Sequence, residues 1–182
     1  MSIRRYQIGI IGSASGNLGS DVRLVARELG RIIAKKKLVL FSGACHGLPL
    51  EAVMGAKEVG GITVGVSPAI NLKEHINNYN YPYHPDIFDS LIFTGSGYKG
   101  RNVTLVRSCD AVISVMGMIG TLNELTIAYD EKKIIGLCLG TGGVSDTFLD
   151  VLEKMGKSID NIISSNKPSY LVEKIIESLN CL

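Results

Sequence analysis

The sequence alternates from end to end between short apolar runs, glycine-rich or polar turns, and segments of helical period. This alternation is typical of βα units that build a parallel sheet. The predicted strands cover residues 6–11, 38–42, 61–66, 91–94, 111–115, 133–139 and 159–163. The predicted helices cover residues 21–36, 50–58, 98–108, 120–129 and 147–155, with a last helix from Pro168. We therefore predict an α/β fold: a Rossmann-like, doubly wound sheet of about seven mainly parallel strands, with helices on both faces.

Composition sets the outer limits of the prediction. A chain of 182 residues with 46% hydrophobic residues can bury a substantial core but is short for two, so we expect a single domain over residues 1–182. Nineteen basic residues against 17 acidic ones, without charge blocks, indicate no nucleic-acid partner. No apolar run approaches the roughly 20 residues of a membrane helix. The four cysteines have no CxxC spacing, which favours reduced thiols in a cytoplasmic protein without zinc or disulfides.

Ligands of open α/β sheets bind beyond the carboxyl ends of the strands, and three of the loops at those ends are candidates. The first, IGSASG, contributes Gly12 and Ser13; the second, SGACHG, contributes Gly43; the third, MGMIGTLNE, contributes Gly117, Gly120 and Thr121. Glycine lets backbone N–H groups approach a phosphate at a helix N-terminus. The first loop is not a GxGxxG fingerprint and no acidic residue ends the second strand, which disfavours NAD. Tight βα turns without a ligand are the alternative.

Two charged residues near these loops have both a functional and a structural interpretation. Glu124 follows Thr121 by three residues, so it either caps its own helix or faces a ligand as a general acid or base. Arg101 begins the helix of residues 98–108 and either points its guanidinium into the same crevice or lies in solvent. His46, alone in its loop, is more often a solvent-exposed residue than a ligand contact.

Residues 70–90 interrupt the βα rhythm with asparagines, prolines and three tyrosines. We interpret this polar segment as the rim of a site or a subunit contact rather than a core element.

In order along the chain, IGSASG, SGACHGLPLEAVMGAKEVGGITVGVSP, GRN, MGMIGTLNE and GTGG resemble the LOG (Lonely Guy) family, also called lysine decarboxylase-like. They resemble most its molybdenum cofactor carrier protein-like branch. The LOG signature is PGGxGTxxE with a preceding arginine, which Gly117, Gly120, Thr121, Glu124 and Arg101 match. The resemblance implies that Arg101 and Glu124 are catalytic residues and that the glycine loops bind phosphate.

The third loop also departs from that signature. Met116 replaces the proline and Met118 replaces the second glycine. A side chain at position 118 is expected to strain the backbone or to crowd the bound phosphate. The departures leave open whether the chain catalyses a reaction.

The resemblance implies two functions. The first is a nucleoside 5′-monophosphate phosphoribohydrolase, which hydrolyses an N-glycosidic bond and needs no metal or cofactor. The second is a non-catalytic carrier or sensor of a nucleotide or of molybdenum cofactor. Both take a small phosphorylated ligand, and relatives of this kind form homodimers or higher homo-oligomers. An interaction module with vestigial loops is the third reading.

Overall fold

The computed structural model describes residues 4–181. Residues 1–3 and 182, the two ends of the predicted 1–182 domain, lie outside this part. The seven strands are β1 Gln7–Gly12, β2 Val39–Ser42, β3 Ile62–Ser67, β4 Ser90–Phe93, β5 Ala111–Val115, β6 Ile134–Cys138 and β7 Ile162–Ser165. The seven helices are α1 Ser20–Lys35, α2 Leu48–Lys57, α3 Leu72–Asn77, α4 Gly97–Arg107, α5 Ile119–Asp130, α6 Val144–Lys154 and α7 Pro168–Asn180.

The strands pair in parallel in the order β4-β3-β2-β1-β5-β6-β7. The chain first builds the sheet outward from β1 to β4, then returns to the other side of β1 and builds outward again. This doubly wound order confirms the predicted Rossmann-like α/β fold. The strand order reverses between β1 and β5, where Ile8 pairs with Ala111 and Gly12 with Val115.

Alternate residues of each central strand pack against opposite faces of the sheet. In β5, Ala111 and Ile113 join the core beneath α1, α2 and α7, whereas Val112 joins the core beneath α4, α5 and α6. All five residues of this strand are buried, as expected for an inner parallel strand covered on both faces.

Helix α6 begins three residues earlier than predicted, and two further elements also differ from the sequence-based expectation. The first is α3, which lies in the segment that we interpreted as irregular; the Asn71 side chain accepts a hydrogen bond from the Glu74 amide at 2.9 Å and so caps this six-residue helix. The second is β7, which begins three residues later than predicted and ends in Ser164 and Ser165. As an edge strand it pairs only with β6, so polar residues are tolerated there.

Candidate functional site

The carboxyl ends of β1, β2 and β5 open into a cavity of about 380 Å³ at the point where the strand order reverses. Seven of the eight residues predicted to form a site line this cavity. These are Gly12, Ser13, Gly43, Arg101, Gly120, Thr121 and Glu124. They come from three strand-end loops and from two helices, α4 and α5, that begin beside them. The fold therefore gathers residues that are far apart in sequence into one concave site.

Ser13 connects the three loops. Its carbonyl accepts a hydrogen bond from the Leu48 amide at 2.9 Å, and its hydroxyl oxygen accepts one from the Gly117 amide at 3.2 Å. The hydroxyl proton of Ser13 is still available to a ligand. Gly117, the eighth predicted residue, does not line the cavity, and its amide is already bonded. A side chain at Gly117 would overlap that of Thr121, so this glycine shapes the turn.

The N-terminus of α5 faces the cavity with free backbone donors. Met118 is its N-cap, and the first hydrogen bond of the helix runs from the Leu122 amide to the Met118 carbonyl. Within residues 4–181, the amides of Ile119, Gly120 and Thr121 have no hydrogen-bond acceptor. Such free donors at a helix N-terminus suit an anion, and the helix dipole adds a partial positive charge.

The capping interpretation of Glu124 is wrong. It required Thr121 to be the N-cap, but Thr121 lies inside the first turn of α5 and no side chain caps this helix.

The backbone strain expected at Met118 is also absent from that position. Met118 has φ −122°, which is ordinary extended backbone, and its side chain is 65% exposed at the mouth of the cavity. The left-handed residue is Met116, with φ 57°. Its amide donates to Thr141 Oγ1 at 2.8 Å, and its carbonyl accepts from the Ser145 amide at 2.9 Å. The GTGG turn and the start of α6 therefore hold Met116 in this conformation.

Arg101 projects from near the start of α4 into the floor of the cavity and is only 7% exposed. Its guanidinium occupies space that a side chain at position 43 would fill, which explains the glycine there. Its buried Nε has no hydrogen-bond partner. In the described part of the chain no carboxylate lies within 4.0 Å of it. A buried guanidinium nitrogen without a partner is costly, so the site is suited to an acceptor from a ligand.

Glu124 projects from α5 into the same cavity and is also only 7% exposed. Burial raises the pKa of its carboxyl to about 7, although the positive charge of Arg101 opposes the rise. None of the side-chain hydrogen bonds among residues 4–181 reaches this carboxyl. A carboxyl that titrates near neutral pH is suited to proton transfer.

Cys45 lines the cavity beside Arg101, and burial raises the pKa of its thiol to about 11. It is a buried, protonated thiol, as are Cys109 and Cys138, whereas Cys181 is exposed. The cytoplasmic location inferred from the cysteines stays a prediction. Among residues 4–181, no three His, Cys, Asp or Glu side chains are grouped to hold a metal ion. No helix in this range has the length and apolar character needed to cross a membrane.

The expectation that His46 is solvent-exposed is confirmed, whereas two residues that line the cavity were not predicted. His46 is exposed and lies outside the cavity, where its Nε2 contacts the Asn80 carbonyl at 2.8 Å. Tyr81 and Tyr98 line the cavity but had not been proposed as site residues. The interpretation of residues 70–90 as a rim pointed toward Tyr81. Tyr98 lies three residues before Arg101 on the same helix, and this spacing is the signal that could have found it.

Two relatives show which known proteins the chain is similar to. It is 37% identical over 131 residues to an uncharacterized protein of Archaeoglobus fulgidus, across 72% of this chain and 78% of the relative. It is 28% identical over 150 residues to a probable cytokinin riboside 5′-monophosphate phosphoribohydrolase of Oryza sativa subsp. japonica, across 79% of this chain and 62% of that protein.

Two solved structures share both the fold and nearly the whole length. The molybdenum cofactor carrier protein of Chlamydomonas reinhardtii is 27% identical with a TM-score of 0.76, covering 98% of this chain and 100% of its own. The molybdenum cofactor binding protein of Rippkaea orientalis is 27% identical with a TM-score of 0.78, covering 98% and 99%. These similarities confirm the resemblance to the LOG family and to its carrier-like branch.

The family profile extends over nearly the whole described fold, from before β1 into α7. Because the SLOG cluster4 profile matches residues 5–172, the chain belongs to the SLOG cluster4 family.

Proposed function

We propose that the protein is a phosphoribohydrolase that cleaves the N-glycosidic bond of a nucleoside 5′-monophosphate. The observation that carries this proposal is the pair Arg101 and Glu124. Both side chains are buried in one cavity, and within residues 4–181 the Nε of Arg101 has no hydrogen-bond partner. The similarity to the rice phosphoribohydrolase supports the choice of reaction.

The charge and size of the cavity are compatible with such a ligand. Its charged lining residues are Lys99, Arg101 and Glu124, which leaves an excess of positive charge for a phosphate. The volume of about 380 Å³ lies near the lower end of the roughly 300–1,000 Å³ typical of small-molecule sites. A mononucleotide is a better match to this volume than a dinucleotide.

In the proposed mechanism the free amides of Ile119, Gly120 and Thr121 hold the 5′-phosphate at the N-terminus of α5. Arg101 and Glu124 orient the ribose and stabilise its ring as positive charge develops at C1′. The bond from C1′ to the base nitrogen breaks, and water adds to C1′. The products are the free base, which gains a proton, and ribose 5-phosphate. As in glycoside hydrolysis, the carboxylate form of Glu124 stabilises the oxocarbenium-like state.

A carrier function is the second candidate, and two observations favour it. The two solved neighbours are a carrier and a binding protein of molybdenum cofactor, each aligned over 98% of this chain. The third loop also lacks the proline and the second glycine of the LOG signature at Met116 and Met118. A carrier would use the same phosphate-binding amides and would not need the proton chemistry of Glu124.

The two functions are separated by incubating the purified protein with AMP or N6-substituted AMP and measuring the released base by chromatography. The enzyme releases base, and Glu124→Gln abolishes the release while AMP binding persists. Glu153→Gln, the same change at an exposed position of α6, is the matched control. Micromolar binding of AMP without any base release would favour the carrier instead.

We also propose that the protein forms a homodimer or a higher homo-oligomer. Ile119, at the start of α5, is 73% exposed next to the exposed Met118, an apolar pair that a second subunit would cover. Light scattering coupled to gel filtration should give at least twice the chain mass, and Ile119→Glu should reduce it. A monomeric wild type would contradict this proposal.

A further inference from the structure

The cavity has two chemically different zones. Its floor is polar and buried, with Ser13, Thr121, Arg101 and Glu124 all less than a tenth exposed. Its mouth carries the aromatic ring of Tyr98, which is 53% exposed, and the exposed side chains of Met118 and Lys99. A ligand that fills the whole cavity must therefore combine an anionic, hydroxyl-rich part with a flat apolar part.

The two zones have a fixed spacing because one helix contributes to both. Tyr98 and Arg101 lie three residues apart near the start of α4 and so share a face of that helix. The buried Arg101 lies at the floor, and Tyr98 lies at the mouth toward the N-terminus. A ribose held by Arg101 would extend its C1′ substituent toward the tyrosine.

Contacts with neighbouring aromatic rings also hold Tyr98 and Tyr81 in place. Tyr98 contacts Tyr79 edge-on at 5.2 Å between ring centroids and lies 6.4 Å from Tyr81. The ring of Tyr81 in turn contacts that of His75 edge-on at 5.5 Å. These contacts leave the tyrosines in defined positions before any ligand binds, which reduces the entropy lost on binding.

His75 anchors these aromatic rings to the sheet. It is fully buried, and burial lowers its pKa, so the imidazole is neutral. Its Nε2 lies 3.3 Å from the Pro82 carbonyl, which can only accept, so Nε2 carries the proton. Its Nδ1, 2.9 Å from Ser67 Oγ, therefore accepts from the Ser67 hydroxyl. Both ring nitrogens are satisfied, and the segment that carries Tyr81 is tied to the end of β3.

We infer that Tyr98 and Tyr81 form an aromatic platform that binds the planar, nitrogen-containing ring of the ligand and thereby selects for ligands that have one. This inference rests on the proposed function, since the phosphate and ribose must occupy the floor for the ring to reach the mouth. Aromatic side chains stack on any flat heteroaromatic ring, so the platform selects the class of ring and tolerates differences in its substituents.

The test compares the affinities of AMP and ribose 5-phosphate, which share the phosphosugar and differ in the base, by isothermal titration calorimetry. The wild type should bind AMP about 5- to 150-fold more tightly, the range expected for one stacked base. Tyr98→Leu keeps apolar bulk but removes the aromatic face, so it should reduce this preference at least about fivefold. It should leave the affinity for ribose 5-phosphate unchanged.

Two further variants make the result specific. Tyr98→Phe, unlike Tyr98→Leu, keeps an aromatic ring and should therefore keep the preference for AMP over ribose 5-phosphate. Tyr83→Leu changes an exposed tyrosine of the same segment that does not line the cavity, and it should keep the wild-type preference. Equal binding of both ligands by the wild type, or an equal loss of both in Tyr98→Leu, would overturn the platform and leave the phosphate site standing. Binding of neither ligand by the wild type would overturn the proposed function itself.

Discussion

Glu124 is a carboxyl group that folding removes from water, and residues 4–181 supply no hydrogen-bond donor to it. Burial raises the pKa of this carboxyl from its reference value of 4.5 to about 7. Below pH 4.5 it is protonated in the folded and the unfolded chain alike. Between pH 4.5 and 7 the unfolded chain loses this proton and the folded chain keeps it, so ionisation favours unfolding. The free energy of unfolding therefore falls as pH rises through this window.

Glu124→Gln should remove this pH dependence. The free energy of unfolding of the variant, relative to that of the wild type, should rise by on the order of 3 kcal/mol from pH 4 to pH 8. The reason is that a neutral amide carries no ionisation penalty. Urea unfolding of both proteins at the two pH values measures the difference, and Glu153→Gln provides the baseline. A gain that is the same at both pH values would show that Glu124 does not titrate abnormally.

Gly43 gives a second prediction at the level of single residues. A methyl group there would overlap the end of the Arg101 side chain, which is flexible and can move away. Gly43→Ala should therefore change the free energy of unfolding by less than about 1 kcal/mol while displacing the guanidinium from the cavity floor. We expect AMP affinity to fall at least about tenfold, as for the loss of one charge-assisted hydrogen bond.

Calorimetric titration of Gly43→Ala with AMP checks this expectation. Gly19→Ala, at a position with no atom within 4 Å of the added methyl, is the control. Unchanged affinity in Gly43→Ala would mean that Arg101 does not hold the ligand.

Met116 and Met118 differ in which substitutions their backbone conformations allow. Proline fixes φ near −65° and has no N–H, whereas Met116 has φ 57° and donates to Thr141 Oγ1. Met116→Pro, which restores the residue of the LOG signature, should destabilise the fold by about 3 kcal/mol or more. Met118→Gly restores the other signature residue at an exposed position with ordinary φ and should change stability by about 1 kcal/mol at most. Thermal unfolding distinguishes these outcomes, and equal stability of the two variants would contradict the assignment of the left-handed position.

At the level of elements, α1 and α2 approach each other backbone to backbone. A side chain at Gly30 of α1 would overlap the Ala52 carbonyl of α2, and one at Gly55 of α2 would overlap the Arg27 carbonyl of α1. Backbone atoms within packed helices cannot move aside cheaply. These two helices follow β1 and β2, so their contact fixes the loops that carry Ser13 and Gly43.

Gly30→Ala should consequently destabilise the protein by about 1–3 kcal/mol or more, despite the better helix propensity of alanine. Gly120→Ala, a helical position with no atom near the added methyl, should instead stabilise the protein by up to about 1 kcal/mol. Urea unfolding measures both changes. Equal effects of the two substitutions would show that α1 and α2 are not in close contact.

The helices and strands differ in how well the sequence predicts them. Inner strands such as β5 were predictable because a run of five residues, four of them apolar, has few other places in an α/β fold. The helix α3 was not, because six residues among tyrosines and prolines give too short a periodic signal. The spacing of Asn71 and Glu74, a capping residue followed three positions later by glutamate, was the local clue. The edge strand β7 was misplaced because its serines weaken the apolar pattern.

For the molecule as a whole, strand-end reasoning located the candidate site because parallel strands bring all their carboxyl ends to one edge of the sheet. That rule predicts where loops converge, and it brought Ser13, Thr121 and Glu124 to the cavity correctly. The rule does not predict which residues of a longer segment, such as 70–90, will fold over the carboxyl ends of the strands. The contribution of Tyr81 to the cavity was therefore missed. The interpretation of Glu124 as a cap failed because α5 begins earlier than that interpretation required, with Met118 instead of Thr121 as its N-cap.

The strand order has a consequence for the newly made chain. Strand β1 is synthesised early and pairs with β2 on one side, but its other neighbour, β5, emerges only after β2, β3 and β4. Until then the backbone of β1, with Ile8 and Ile10, has an open edge that can pair with other chains. The same delay means that Arg101 and Glu124 reach the site last. If the proposed function holds, affinity for a nucleotide is therefore acquired only after β5 and α5 have been synthesised, when the open edge of β1 is also closed.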